Sequence, residues 1–208
     1  MSPTAVHAEL PEAKKRLLDA AMQLMIRQGF TATTVDEICG EAKLTKGSFF
    51  HYFKSKEEIG EAALDHYWEA QRAAFLNAEF TRLTDPLERL HGFLDFMIQV
   101  ARRGPLSQGC LMGNMAQELA HTHPAIRQKC EARFGHLSGN ISKTLREAKA
   151  KYRPKADFDP DSVGTLFVSL MQGSILLAKA RQDPRPLIEN LGHFRAYVDG
   201  LLGQSRGH

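Results

Sequence analysis

The chain has little of what catalysis, secretion or membrane insertion require. Its 208 residues contain no GxSxG, HExxH, Walker-type or GxGxxG pattern, so acyl transfer, zinc proteolysis and nucleotide cradling have no local signature. The three cysteines, Cys39, Cys110 and Cys130, form no CxxC pair and leave an odd count, which argues against a disulfide framework. His121-x-His123 precedes a proline with no third spaced ligand, so neither a metal nor a cofactor is expected. No stretch approaches the roughly 18 uninterrupted apolar residues of a membrane span. The opening MSPTAVHAELPEAKKR lacks the apolar centre of a secretion signal. A reduced, cytoplasmic setting with no membrane partner is the expectation. Nothing alternates with the period of two that marks a half-buried strand.

What is present is ordinary globular composition, 43% hydrophobic and 25% charged, in a length that allows one large or two modest domains. The net charge of +3 is mild. Residues 1–60 hold eight Lys/Arg and eight Asp/Glu, and so are no general polyanion binder. Residues 43–56 differ, carrying Lys43, Lys46, Lys54 and Lys56 with no acid among them. Such a cluster suits a phosphate-facing edge, since lysine neutralises phosphate and releases counterions. It equally suits a solvated face.

Residues 33–59, TTVDEICGEAKLTKGSFFHYFKSKEEI, decide between these. Thr34-x-x-Glu37 is a capping box that opens a short helix burying Val35, Ile38 and Ala42. Thr45 can cap a second short helix carrying Phe49, Phe50 and Phe53, and Ser55-x-x-Glu58 opens a third, longer one. Phe49 and Phe53 share one face, four residues apart, and are expected in the core; Phe50 and His51 fall on the other side. Helix, tight turn, helix is the geometry that lays a second helix in the DNA major groove. Lys56 would stand at the first position of the third helix, where its ammonium and the exposed amides can meet one phosphate.

From LLDAAMQLMIRQGF through TTVDEICGEAKLTKGSFFHYFKSKEEI, residues 17–59 resemble the N-terminal helix-turn-helix domain of the TetR family of bacterial transcriptional regulators. The resemblance rests on Leu18, Ala21 and Leu24, then Gly29-Phe30, Thr33-Thr34, Ile38, Ala42, Gly47, the Phe49–Phe53 run and Lys56. It implies that Lys46, Gly47, Ser48 and His51 face base edges. It implies also that Thr34, Phe50, Tyr52 and Lys56 approach the DNA backbone or groove walls. Two positions depart from the family pattern. Phe50 stands where a tyrosine is usual, which removes a phosphate-bonding hydroxyl and leaves apolar contact, as with a thymine methyl. Lys43 stands where the turn usually has glycine; a left-handed backbone there costs about 1 kcal/mol.

Outside the helix-turn-helix motif the chain also reads as helix after helix: 11–28, 55 to about 80, 86–103, 109–120, from Pro124 onward, 160–182, and a last one after Asp183-Pro184. Gly104-Pro105 is the stop of the third of these. Ile126, Cys130, Phe134, Leu137, Ile141, Leu145 and Ala148 form one stripe at helical spacing. The segment SVGTLFVSLMQGSILLAKA is apolar on more than one face and rich in small residues, which suits a four-helix homodimer interface or simple burial. A dimer places two heads about 34 Å apart, matching a palindromic operator on double-stranded DNA.

Residues 87–119 are rich in flexible apolar side chains, which suit a largely apolar effector pocket with a few polar anchors. Its candidate lining is Phe93, Met97, Cys110, Met112, Asn114, Met115 and Glu118, and the family resemblance implies a small-molecule effector. Gly109-Cys110-Leu111-Met112-Gly113-Asn114 is similar to a stretch in a TetR branch that includes electrophile-sensing repressors. Cys110 is accordingly either a thiolate sensor at a helix start or a small buried apolar residue. The expected architecture is all-α: a three-helix helix-turn-helix domain over 11–60, with the motif itself at about 34–53, and a helical effector-binding and dimerisation domain over 61–208. The expected function is a ligand-responsive repressor, with a Cys110 redox or electrophile sensor, or an all-helical enzyme, as alternatives.

Overall fold

A computed structural model describes residues 10–104 and 108–204. Pro105, one half of an expected helix stop, lies outside the described residues, as does the stretch before Leu10. Among the described residues there are nine α-helices and no strand. They are α1 Glu12–Gln28, α2 Val35–Ala42, α3 Lys46–Tyr52, α4 Lys56–Leu76, α5 Pro86–Arg102, α6 Leu111–Leu119, α7 Pro124–Tyr152, α8 Pro160–Arg181 and α9 Arg185–Leu201. The chain forms two compact units, a head through Tyr67 and a body from Trp68, the division falling within α4.

In the head, α1 turns Leu17, Leu18, Ala21, Leu24 and Met25 inward, and Gly29 ends it with a positive φ of 89°. Ile38, Cys39 and Ala42 of α2, Phe49 of α3 and Ile59, Ala63 and Leu64 of α4 complete the core. Val35, expected inside, is half-exposed, and Cys39 takes the place on the buried face of α2. His66 on α4 donates to Asp19 on α1 across 2.8 Å.

The body is built on α7, packed against α5, α6 and α8, while α8 and α5 also meet α9. Its core is aromatic at the centre: Phe93 meets Phe75, Phe80 and Phe167, and Phe167 meets Phe194, at ring separations of 5.1–5.8 Å. That cluster explains why α4 ends at Leu76 rather than near residue 80. Phe80 sits in a 3₁₀ turn, Glu79–Arg82, that brings its ring to Phe93 and Phe96, and its Cβ lies 2.7 Å from where a Cβ on Gly92 would stand. An uninterrupted helix would carry that ring past its site.

Between α7 and α8 the spacing is set by backbone. A Cβ on Gly164 would stand 2.6 Å from the Ser138 carbonyl oxygen and 2.2 Å from Ser142 Oγ, so glycine alone fits. This close approach buries Ser142, whereas Phe134 and Leu137, expected in the same stripe, remain half-exposed. Further polar ties join the layers. Asn190 Nδ2 donates to Ser174 Oγ (2.9 Å), His91 to the buried Asp199 (2.8 Å), and Arg195 to the His91 carbonyl (2.8 Å).

Helix α8 is apolar on two faces, as its sequence suggests. Val163, Phe167, Met171, Ile175 and Ala178 are core, while Leu166, Leu176 and Leu177 are exposed. By length and composition alone α8 is apolar enough to cross a membrane; its buried face makes it a core helix of the body.

Candidate nucleic-acid interface

Thr34 opens α2 with a complete capping box. Its hydroxyl oxygen accepts from the Glu37 amide (3.2 Å), and the Glu37 carboxylate accepts from the Thr34 amide (2.8 Å) and hydroxyl (2.9 Å). Gln28 donates to the same carboxylate (3.2 Å). The Thr34 hydroxyl is therefore engaged in ordering α2, as an N-cap of this kind does. These bonds from the Thr34 amide, then Gln28 and the Thr34 hydroxyl, hold the Glu37 carboxyl below its ordinary pKa.

The turn is closed by the Leu44 amide on the Cys39 carbonyl (2.9 Å) and by the Lys43 amide on the Gly40 carbonyl (3.1 Å). Lys43 sits in the left-handed region at φ 52°, ψ 46°, the conformation that glycine adopts without a Cβ penalty. Arg16 of α1 donates to the carbonyls of Ala42 and Lys43 and so pins the end of α2.

Thr45 then caps α3, accepting from the Ser48 amide at 3.1 Å. Phe49 is fully buried and stacks edge-on to Phe50 at 5.2 Å, and Phe53 closes the same side at 5.9 Å. With that face anchored, Lys46, Gly47, Phe50 and His51 point to solvent, Phe50 at 58% exposure, with Ser48 and Tyr52 half-exposed beside them. A methyl on Gly47 would meet only Thr45 Oγ1, at an ordinary 3.6 Å. Internal packing therefore does not require glycine there. His51 and Tyr52 hold each other edge-on at 4.7 Å.

Two lysines are placed in ways the sequence did not suggest. Lys46 Nζ pairs with Asp36 Oδ1 at 2.8 Å across the turn, and the hydrogen bond to Asp36, reinforced by its charge, raises the lysine's pKa. Lys56 does begin α4, but its ammonium lies over the Phe30 ring (4.6 Å) and donates to the carbonyls of Phe30 (3.1 Å) and Thr31 (3.3 Å). In the free protein it thus holds the connection from α1 to α2. At the opening of α4, Ser55 accepts from the Glu58 amide (3.2 Å), and Glu58 reaches back to the Lys54 amide (2.6 Å) rather than to that of Ser55. Sequence reasoning missed Arg16 and Asp36. Each acts on a residue of another helix, through the turn, and no spacing rule along one helix connects them.

The candidate effector residues fall in two groups. Phe93 and Met97 of α5, Cys110 at the N-cap of α6, and Met112 and Met115 of α6 are buried, Asn114 is half-buried, and Glu118 is exposed. Gln172 of α8 donates to Cys110 Sγ at 3.7 Å, and its amide lies against Gly113. Burial, with a smaller contribution from Cys110, pushes the Cys130 thiol up to about 11. None of the seven side chains lines the surface groove beside Arg153, Phe158 and Tyr197 in the body or the one beside Arg16, Glu41 and Lys43 in the head.

A capped α2, a tight turn and a short α3 with an exposed outer face define a helix-turn-helix DNA-binding protein. Residues 17–63 match the model of the tetR family of bacterial regulatory proteins, and residues 86–194 match the tetracyclin repressor-like C-terminal domain. The transcriptional regulator AcuR of Cereibacter sphaeroides is 30% identical over 184 residues, covering 84% of this chain and 80% of its own. The HTH-type transcriptional repressor NemR of Escherichia coli is 25% identical, over 90% and 94%. The crystal structure of regulatory protein TetR from Rhodobacter sphaeroides superposes with a TM-score of 0.79 at 30% identity, over 90% of this chain and 99% of that one. The chain belongs to the TetR family and is a DNA-binding transcriptional regulator.

Proposed function

We propose that this regulator is a cytoplasmic repressor that binds a palindromic operator as a homodimer and is released by a small molecule. The observation that carries the reading is α3, whose outer face offers Lys46, Gly47, Phe50 and His51 while Phe49 fixes its inner face. Lys46 can donate to guanine and Phe50 can meet a thymine methyl. Ser48, His51 and Tyr52 extend the same face, and the Thr34 end of α2 and the amides that open at Lys56 supply backbone contacts that set register. The dimer is supported by the exposed leucine face of α8, Leu166, Leu176 and Leu177, since unpartnered apolar surface of this kind marks an interface.

The effector is largely apolar or electrophilic and enters among Phe93, Met97, Met112 and Met115, with Asn114 and Glu118 as polar neighbours. It releases DNA only through a higher affinity for the non-binding state. A second reading, thiol sensing at Cys110, is favoured by its position at the N-cap of α6 against Gln172. Neither reading assigns the chain a catalytic step.

Fluorescence anisotropy tests the proposal, with DNA from upstream of the protein's own coding region set against a scrambled fragment at two salt concentrations. Tight, competitor-resistant binding to the former is expected. If duplexes selected from a random pool are also bound no better than scrambled DNA, the regulator is not sequence-specific and the proposal fails.

A further inference from the structure

The pairing of Asp36 with Lys46 has no counterpart in the reading of α3 as a row of donors. We propose that Asp36 is a specificity-determining residue of the DNA-reading surface, holding Lys46 for base contact and opposing DNA that offers its carboxylate no donor. This rests on α3 being the groove helix.

Both members of the pair are exposed, Lys46 at 62% and Asp36 at 68%, and they meet at 2.8 Å from different helices. An ion pair so exposed contributes little to folding, and although an acid in the first turn of α2 meets the positive end of the helix, that interaction does not require it to pair with Lys46. Asp36 lies outside the stretch 43–56, which contains four lysines and no acid, and it brings a carboxylate to that basic edge. Glu37, next to Asp36, is committed to the Thr34 cap and to Gln28. Of the three acids of α2, Asp36 is the one paired with the start of α3.

Two consequences follow on DNA. A duplex presents a phosphate about every 1.7 Å along its axis, and non-specific affinity comes from cations that replace its counterions. Lys46 bound to Asp36 is a net-neutral unit and contributes little to that term. On a matched sequence the same unit becomes a donor beside an acceptor. Lysine suits guanine O6 and N7, and a carboxylate accepts from the exocyclic amino group of cytosine. Asp36 therefore subtracts from binding everywhere and gives back only where the bases satisfy it, which raises the ratio of specific to random affinity.

The test compares full-length wild type, Asp36→Asn, Asp36→Glu, Lys46→Ala and the Asp36→Asn/Lys46→Ala double variant. Each is titrated with a duplex selected by the wild type from a random pool and with its scrambled version, across a salt series. Asp36→Asn is expected to tighten scrambled binding several-fold, with its log–log salt slope steeper by about 0.9 as Lys46 is freed for phosphate. Binding to the selected duplex should not improve, so the ratio falls about tenfold or more. Asp36→Glu should keep most of the ratio, and in the Lys46→Ala background Asp36→Asn should change it less. Equal shifts on both duplexes, with the ratio unmoved, overturn the proposal while leaving α3 as the groove helix. Failure of the wild type to select any sequence overturns that helix assignment instead.

Discussion

In the head, the residues proposed to read bases fall within the seven of α3, on the side turned away from the buried Phe49. In the body, the residues proposed to meet an effector come from α5 and α6, and most are buried among phenylalanines and methionines. The head separates its two tasks by face, so that Phe49 folds the domain and Phe50, one residue on, is left for a partner. The proposed effector site has no such separation, since most of its side chains also form the core. A site made by exposing residues from a rigid helix is complete before its partner arrives. A site made from core residues is completed by displacing them, and binding there is necessarily coupled to a change of packing.

The strongest way to break this contrast is at the adjacent pair. Phe49→Ala should cost the head about 3–5 kcal/mol, as deletion of a fully buried ring does, and abolish operator binding. Phe50→Ala should cost no more than about 1 kcal/mol, the worth of its edge-on contact with Phe49, and still weaken operator binding. Denaturant titrations with parallel anisotropy measurements check both. Should Phe50→Ala unfold the head as Phe49→Ala does, the division by face is wrong.

The body offers a sharper test through Asp85, the N-cap of α5, which receives the Leu87 and Glu88 amides at 2.9 Å each and also Lys151 and Tyr152 of α7. Burial pushes its carboxyl up, but the bonds from Lys151, Tyr152 and the Glu88 amide outweigh this and hold it well below the usual carboxylate range. The stability that a depressed folded pKa confers is fully present above the unfolded value of about 3.9 and is lost as pH falls from there through the lower folded one. Asp85→Asn should therefore lower stability by about 1–2 kcal/mol near neutrality, the deficit shrinking as acid protonates the wild-type carboxylate. A deficit independent of pH down to the acid limit would show that the α5–α7 tie does not depend on this charge.

The smallest effect is expected at the turn. Lys43→Gly should stabilise the head by about 1 kcal/mol, since the left-handed backbone no longer strains a Cβ, and thermal melts would register it. No gain would mean that the lysine side chain or the chain entropy lost with glycine offsets the strain.

The same contrast explains what the sequence made legible. Caps, turn and the inward spacing of Phe49 and Phe53 are local signals, and α2 and α3 occur where Thr34, Thr45 and their following residues indicate. The two apolar faces of α8 were likewise visible in SVGTLFVSLMQGSILLAKA, because a helix reports its own periodicity. The end of α4 was not legible, since Phe80 leaves the helix to reach rings on α5. Neither was the inward turn of the Lys56 ammonium, which depends on carbonyls 25 and 26 residues earlier in the chain. Phe134 and Leu137 continued a stripe on paper, but the backbone contact at Gly164 replaced that part of the face with Ser142.

That contact also has a mechanical meaning. With the Ser138 carbonyl seated where a side chain on residue 164 would stand, α7 and α8 have no compressible layer between them at that point. Sliding one past the other would drive backbone against backbone. At that point the two helices would have to move together, so a displacement of α6, which touches α7 directly and α8 through Gln172, would be shared by both rather than taken up as slip along their seam.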